Sequence, residues 1–91
     1  MSKIALECIE LLKINNINID SEIDFDVNSK LHTLSFSYII DTFMMASEPS
    51  QVSFLKALEK ATFLGSDGVE SFFQSMGQLL LMTHLSQKIE L

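Results

Sequence analysis

The sequence contains no arginine, one cysteine, one proline and three glycines. With no arginine, and with twelve acidic residues against six lysines, the chain lacks the basic surface that nucleic acids and anionic membranes require. A single cysteine, Cys8, excludes an internal disulfide and suits a reducing compartment. Three glycines leave little material for a phosphate-binding loop. We therefore expect no nucleic acid and no membrane among the partners.

Hydrophobic runs of membrane-spanning length are also missing. The longest uncharged stretch, residues 71–87, is interrupted by polar side chains and is shorter than the ~20 apolar residues of a typical span. Charges at Lys3 and Glu7 come too early for the apolar segment of a signal peptide. We expect a single cytoplasmic domain over residues 1–91.

Apolar residues are abundant for so short a chain. They make up 47% of it, and the mean hydropathy is +0.27. Because a domain of this size buries only about 60–65% of its unfolded surface, some apolar side chains must face outward, where they usually mark a partner. A second copy of the chain is the simplest such partner, while the net charge of −6 favours solubility and encounter with basic proteins.

The first half of the sequence predicts a helix followed by a sheet. Residues 3–14 place apolar side chains at helical spacing. Residues 22–27 alternate strictly between apolar and acidic side chains, which is typical of a strand with one buried face. A turn at 28–30 and renewed alternation over 33–40 predict a β-hairpin, and we expect a third short strand at 42–46.

Residues 31–46 also have a helical interpretation. One helical face would hold Leu31, Leu34, Tyr38 and Met45, and a second would hold Phe36, Ile39 and Phe43. Such a helix would be apolar nearly all round, so we favour the strands.

The second half predicts a further helix and then an ambiguous segment. Pro49 breaks the chain before a helix over residues 50–63, and Gly65 suits its end. Residues 69–85 fit one long helix, but they also fit two strands at 69–74 and 79–85. Local pattern leaves these two interpretations open.

Motifs for catalysis or metal binding are weak. Residues 24–31 begin like a calcium-binding loop, but Ser29 stands where glycine is needed and Ser35 where glutamate is needed. The histidines and the cysteine form no pair with zinc-ligand spacing. No nucleophile motif stands out. We expect a protein that is not an enzyme and that uses no cofactor and no metal.

Several segments together resemble a known family. Residues 54–64 look like a central helix and are followed by a turn at 65–68, while 69–73 and 77–85 look like a closing hairpin and 42–46 like a third strand. This pattern resembles the class I type III secretion chaperones, which include the Tir chaperone. The resemblance implies a dimeric α+β fold of helix, three-stranded antiparallel sheet, helix and β-hairpin. The family's further C-terminal helix has no counterpart in this sequence.

The resemblance also implies a function and sites. Such a bacterial virulence chaperone binds the N-terminal segment of a secreted effector in extended form and keeps it export-competent. The residues expected to contact the effector are Ile4, Cys8, Leu11, Phe25, Leu34 and Phe36. The residues expected at an interface with a second copy or a related chaperone are Phe54, Leu55, Leu58, Leu80 and Met82. Ordinary core packing explains each of these residues equally well. The alternative functions are a non-enzymatic dimeric protein-interaction regulator and an all-helical adaptor or inhibitor.

Overall fold

A computed structural model describes the backbone of residues 2–89 and the side-chain environments of residues 2–83. The elements in chain order are α1 (Lys3–Ile14), β1 (Glu22–Val27), β2 (Lys30–Ser35), α2 (Phe36–Phe43), α3 (Glu48–Ala61), a 3-10 turn (Thr62–Leu64) and α4 (Gly65–Ile89). The two strands form one antiparallel sheet. The chain is therefore a small α+β domain in which helices predominate.

Helix α1 is capped at both ends by local hydrogen bonds. The Ser2 hydroxyl accepts the Ala5 backbone N–H at 3.1 Å, which satisfies a first-turn donor that would otherwise lack a partner. At the other end Asn16 has a φ of 60°, and the Ile17 N–H donates to the Leu12 carbonyl at 2.9 Å. This arrangement ends the helix in the way that left-handed C-caps do.

The hairpin follows the predicted alternation in its first strand. Asn28 and Ser29 have φ values of 54° and 64°, as a two-residue type I′ turn requires. The turn sets the register, in which Phe25 lies opposite His32. In β1, Phe25 and Val27 are buried and Ile23 is half-buried, while the acidic residues between them are exposed. The predicted strand at residues 22–27 is therefore confirmed.

The predicted three-stranded sheet is wrong, because the second strand ends at Ser35 and no third strand forms in the described residues. The Ser35 hydroxyl accepts the Tyr38 N–H at 3.1 Å and so starts α2. The buried face of α2 consists of Phe36, Ile39 and Ile40, with Phe43 half-buried beside it. This helical spacing, stabilised by burial on one side, overrides the local alternation.

The predicted closing hairpin is also wrong, since residues 69–85 lie within the single helix α4. Gly77 is buried inside this helix, and a β-carbon there would overlap the ring of Phe25. The glycine therefore serves close packing of α4 on β1 rather than a turn. The chain reverses earlier, at Gly65, whose φ of 74° suits glycine. Dimerisation, the last part of the predicted fold, is not shown by the single chain.

The core lies where α4 packs against β1, α2 and α3, and α1 packs against α3 and α2. Its buried residues are Ala5, Cys8, Leu12, Phe25, Val27, Phe36, Ile39, Ile40, Phe54, Leu58, Val69 and Phe73. Within the described residues, no helix is both long enough and apolar enough to cross a membrane.

Candidate partner-binding groove

Three phenylalanines from three helices meet at one side of the core. Phe54 of α3 lies between Phe43 of α2, with ring centroids 4.7 Å apart and an interplanar angle of 27°, and Phe72 of α4, at 5.2 Å and 58°. Phe54 is buried, whereas Phe43 and Phe72 are only half-buried. Offset-stacked and tilted aromatic pairs at these distances are favourable. The three rings therefore hold each other in place and form an apolar surface without a partner.

An open groove lies over these rings between α2, α3 and α4. Its volume is about 390 Å³, and its lining residues are Phe43, Pro49, Ser50, Ser53, Phe54, Ala57, Phe72 and Met76. Along α3 the lining side chains at Ser50, Ser53 and Ala57 recur every three to four residues, which places them on one face of the helix. Because these side chains are small, they leave the rings of Phe43, Phe54 and Phe72, here called the aromatic floor, uncovered.

The apolar lining continues along α4 beyond the groove. Phe72, Met76 and Leu79 are spaced by four and three residues and therefore form one stripe on the helix surface. Phe72 and Met76 are half-buried, and Leu79 is 53% exposed. The stripe therefore extends the apolar surface of the groove along the axis of α4.

The rim of the groove on α3 carries positive charge in an otherwise acidic protein. Lys56 and Lys60 are exposed and follow Ser53 and Ala57 by three residues each, so they are neighbours of the lining side chains. Glu59 lies on the opposite side of α3, towards α1, where its charge acts on the Cys8 thiol. The charges in the second half of α3 are thus divided between the two sides of the helix, while Glu48 is exposed in its first turn, next to the lining residue Pro49.

Cys8 itself is fully buried in the core. Burial, with smaller contributions from the charges of Glu7 and Glu59, raises the pKa of its thiol from 9.0 to about 11. The thiol therefore stays protonated at neutral pH, and it acts as a small apolar core side chain rather than as a nucleophile.

The outer edge of β2 is a second candidate surface. In the observed register the backbone N–H and C=O groups of Leu31 and Thr33 point away from β1. Leu31 is 73% exposed. The outer edge of β1 is partly occupied, since the Gln74 side-chain amide of α4 donates to the Asp24 carbonyl at 3.3 Å. An extended peptide would therefore pair with β2 rather than with β1.

The residues predicted to contact an effector lie mostly within the core. Cys8, Phe25 and Phe36 are buried, and Ile4, Leu11 and Leu34 are half-buried. The structure places Leu34 in a small surface cleft with Tyr38 and Leu80, but it does not gather all six residues on one surface. Their role in effector binding stays a prediction.

The residues predicted at a dimer interface are similarly divided. Phe54 and Leu58 are buried, Leu55 and Leu80 are half-buried, and Met82 is 54% exposed. Phe54 is the one of these residues that lines the groove. The dimer role of all five also stays a prediction.

The sequence did not predict the groove, because Phe43 was assigned to a strand and Phe72 lay in a segment whose pattern left helix and strand open and which the family resemblance made a hairpin. A usable signal was present in Ser35, a favourable helix N-cap, followed by apolar residues at 36, 39, 40 and 43. The small residues of α3 at positions 50, 53 and 57 carry no signal by themselves, since such residues also occur on solvent-exposed helix faces.

Potential metal ligands do not converge in the described part of the chain, where no group of three or more suitable side chains is found. Asp24 and Asp26, from the segment that begins like a calcium loop, lie exposed on β1. The Thr33 hydroxyl donates to the Asp24 carboxylate at 3.2 Å across the hairpin. These carboxylates therefore face solvent on a regular strand and not a loop around an ion.

Fold and site together define a small α+β domain with an apolar groove between helices. Comparison of the chain with protein-family models, with curated proteins and with solved structures found no match.

Proposed function

We propose that this protein is a non-enzymatic binding protein that holds an apolar segment of a partner protein in the groove between α2, α3 and α4. The observation that carries the proposal is the open aromatic floor formed by Phe43, Phe54 and Phe72. Aromatic side chains and methionine are enriched at protein interfaces, and open apolar surfaces on small soluble domains commonly mark such sites.

The chemistry of the groove favours binding over catalysis. Among the residues that the structure describes, the polar side chains in the lining are the hydroxyls of Ser50 and Ser53, and no lining residue is titratable. General acid–base or nucleophilic catalysis needs a titratable group within reach of the substrate. Such a lining supplies shape and apolar contact to a ligand.

A type III secretion chaperone is the particular form of this function that the sequence resemblance implies. The protein would act in the bacterial cytoplasm on the N-terminal segment of a secreted effector. The observation that favours an extended effector segment is the outer edge of β2 at Leu31 and Thr33, which no other strand in the described part of the chain pairs with and to which a strand can be added. Binding energy alone would keep the effector unfolded, so no nucleotide is required.

The test is affinity capture with two matched variants. Ser53→Glu puts a charge into the groove, whereas Ser71→Glu puts the same charge on an exposed part of α4 outside the groove lining. Both variants are expected to fold, which circular dichroism and the thermal midpoint check. Wild type and both variants are used to capture proteins from cells that express the gene, and mass spectrometry identifies what they bind.

We expect at least one protein that wild type and Ser71→Glu capture and that Ser53→Glu loses by about tenfold or more, because a desolvated charge disrupts apolar contact. A partner that all three proteins capture equally would contradict binding in the groove. If that partner is a secreted protein lost instead on Leu31→Glu, the chaperone form with an extended effector segment is favoured.

A further inference from the structure

We propose that the occupant of the groove is an amphipathic helix of the partner, with its apolar face on Phe54, Phe72 and Met76 and with acidic residues facing Lys56 and Lys60. This inference rests on the proposed function above and specifies the chemistry of the partner segment. It is carried by two independent observations, namely the helical walls of the groove and the charge on its rim.

The first observation concerns backbone hydrogen bonds. The groove is walled by helices. Apart from the first turn of α3, where the Ser50 N–H has no acceptor within the helix, their backbone groups are satisfied within each helix, so the walls offer apolar contact and few hydrogen-bonding groups. An extended segment buried there would leave its own N–H and C=O groups unpaired, which is costly. A helical segment satisfies these groups internally and presents only side chains, as in other helix-in-groove complexes.

The dimensions of the lining agree with a helical occupant. Its positions on α3 run from Pro49 to Ala57. The stripe on α4 runs from Phe72 to Leu79, of which Phe72 and Met76 belong to the lining. The ends of these ranges are eight and seven residues apart, which corresponds to about 10–12 Å along a helix axis. A partner helix with apolar residues at i, i+3 or i+4, and i+7 covers the same length.

The second observation concerns charge. Lys56 and Lys60 are four residues apart on α3, where like charges repel each other, and both are exposed. Among residues 2–83 the ion pair found is that of Lys13 with Glu10, so neither rim lysine is paired there. A partner with acidic residues along one edge of its apolar face relieves this repulsion.

The local charge of the rim and the net charge of the protein predict opposite preferences. The whole chain carries a net charge of −6, which attracts a basic peptide by long-range electrostatics. The rim at Lys56 and Lys60 attracts an acidic one at short range. Whether the protein binds an acidic or a basic peptide more tightly therefore shows whether the peptide binds at the rim.

The probes are three synthetic peptides with the same apolar residues, measured by fluorescence anisotropy at low and high salt. The first is an amphipathic helix flanked by glutamates, and the second replaces those glutamates by lysines. The third has the composition of the first, rearranged so that apolar residues alternate as in a strand. The proteins are wild type, the rim variant K56E/K60E and the control K3E/K13E, which has the same change in net charge on α1, none of whose described residues belongs to the groove lining.

We expect wild type to bind the glutamate-flanked helix about fivefold or more tightly than the lysine-flanked one, with the difference reduced by salt. The preference should invert in K56E/K60E and persist in K3E/K13E. Tighter binding of the lysine-flanked peptide by wild type would overturn the inference, and so would equal binding or no binding of the two helices. Tighter binding of the alternating peptide would overturn it as well.

Failure of this inference is distinguishable from failure of the proposed function. If Ser53→Glu abolishes capture of a partner but the alternating peptide binds best, the groove is a binding site and its occupant is extended. If Ser53→Glu has no effect on capture, the groove is not the site and the proposed function itself fails.

Discussion

Phenylalanine side chains pack against two sides of α4, and the two sides differ in how completely these rings are buried. On the closed side, Phe25 of the hairpin packs onto Gly77 and is only 1% exposed. On the open side, Phe43 and Phe72 flank Phe54 with ring centroids 4.7 and 5.2 Å from it, yet both remain half-buried because no further element among the described residues covers them. Similar side chains therefore stabilise the fold on one side and leave apolar surface for a partner on the other.

The largest expected effect comes from replacing phenylalanine by alanine once on each side of α4, which tests this difference in burial. Phe25→Ala should lower the free energy of unfolding by about 3–5 kcal/mol, because it opens a cavity in the closed core. Phe43→Ala should cost less, about 1–2 kcal/mol, because its ring is already partly hydrated. Urea unfolding monitored by circular dichroism measures both. Equal losses would mean that the two sides are equally packed, contrary to the comparison.

A second prediction concerns Cys8, which belongs to the closed core. Its thiol has a pKa of about 11 in the folded protein against 9.0 as a reference, so the folded state holds the proton more tightly. The contribution of the thiol to stability is therefore complete below pH 9 and is lost as the pH rises from about 9 to 11. The full loss amounts to about 2–3 kcal/mol.

The control for this pH dependence is Cys8→Ala, which retains the lysines and the tyrosine that titrate in the same range. The difference in free energy of unfolding between wild type and Cys8→Ala should change across this window and be constant below it. A constant difference from pH 8 to pH 11 would show that the thiol is accessible to water, and the core around α1 would then not be closed.

The elements of the fold also differ in how well the sequence predicts them. The strand at residues 22–27 was predictable because its alternation is strict and its turn is short, and the helix at 3–14 because its apolar residues recur with helical spacing. The central helix α3 was predictable from its apolar residues Phe54 and Leu58, although it begins at Glu48, before the proline, which sits in its first turn. Proline is tolerated there because a first-turn N–H has no partner within the helix.

Residues 36–43 and 69–85 were not predictable from local pattern, for a tertiary reason. Both segments are apolar on more than one face. For residues 69–85 the periodicity fits a strand and a helix about equally well, and for residues 36–43 it favours strands. What decides between them is burial: α2 turns Ile39 and Ile40 into the core, and α4 approaches the hairpin at Gly77. The groove arises where these two helices meet α3, and it was missed for the same reason.

The smallest expected effect tests that tertiary reason directly. Alanine is favoured over glycine inside a helix by about 1 kcal/mol, so Gly77→Ala would stabilise an isolated α4. In the folded protein the added methyl group overlaps the Phe25 ring, and overpacking of this kind costs about 1–3 kcal/mol. We expect a net loss of about 1 kcal/mol in the free energy of unfolding.

The partner variant Phe25→Leu turns this expectation into a double-mutant cycle. Leucine lacks the ring atoms that the new methyl group meets, so Gly77→Ala in the Phe25→Leu background should be neutral or stabilising. Ser75→Ala, at an exposed position of the same helix, controls for helix propensity and should raise stability by a few tenths of a kcal/mol. If Gly77→Ala stabilises the wild-type protein as Ser75→Ala does, the Phe25 ring of the hairpin does not pack closely against Gly77 of α4. The closed side would then resemble the open one.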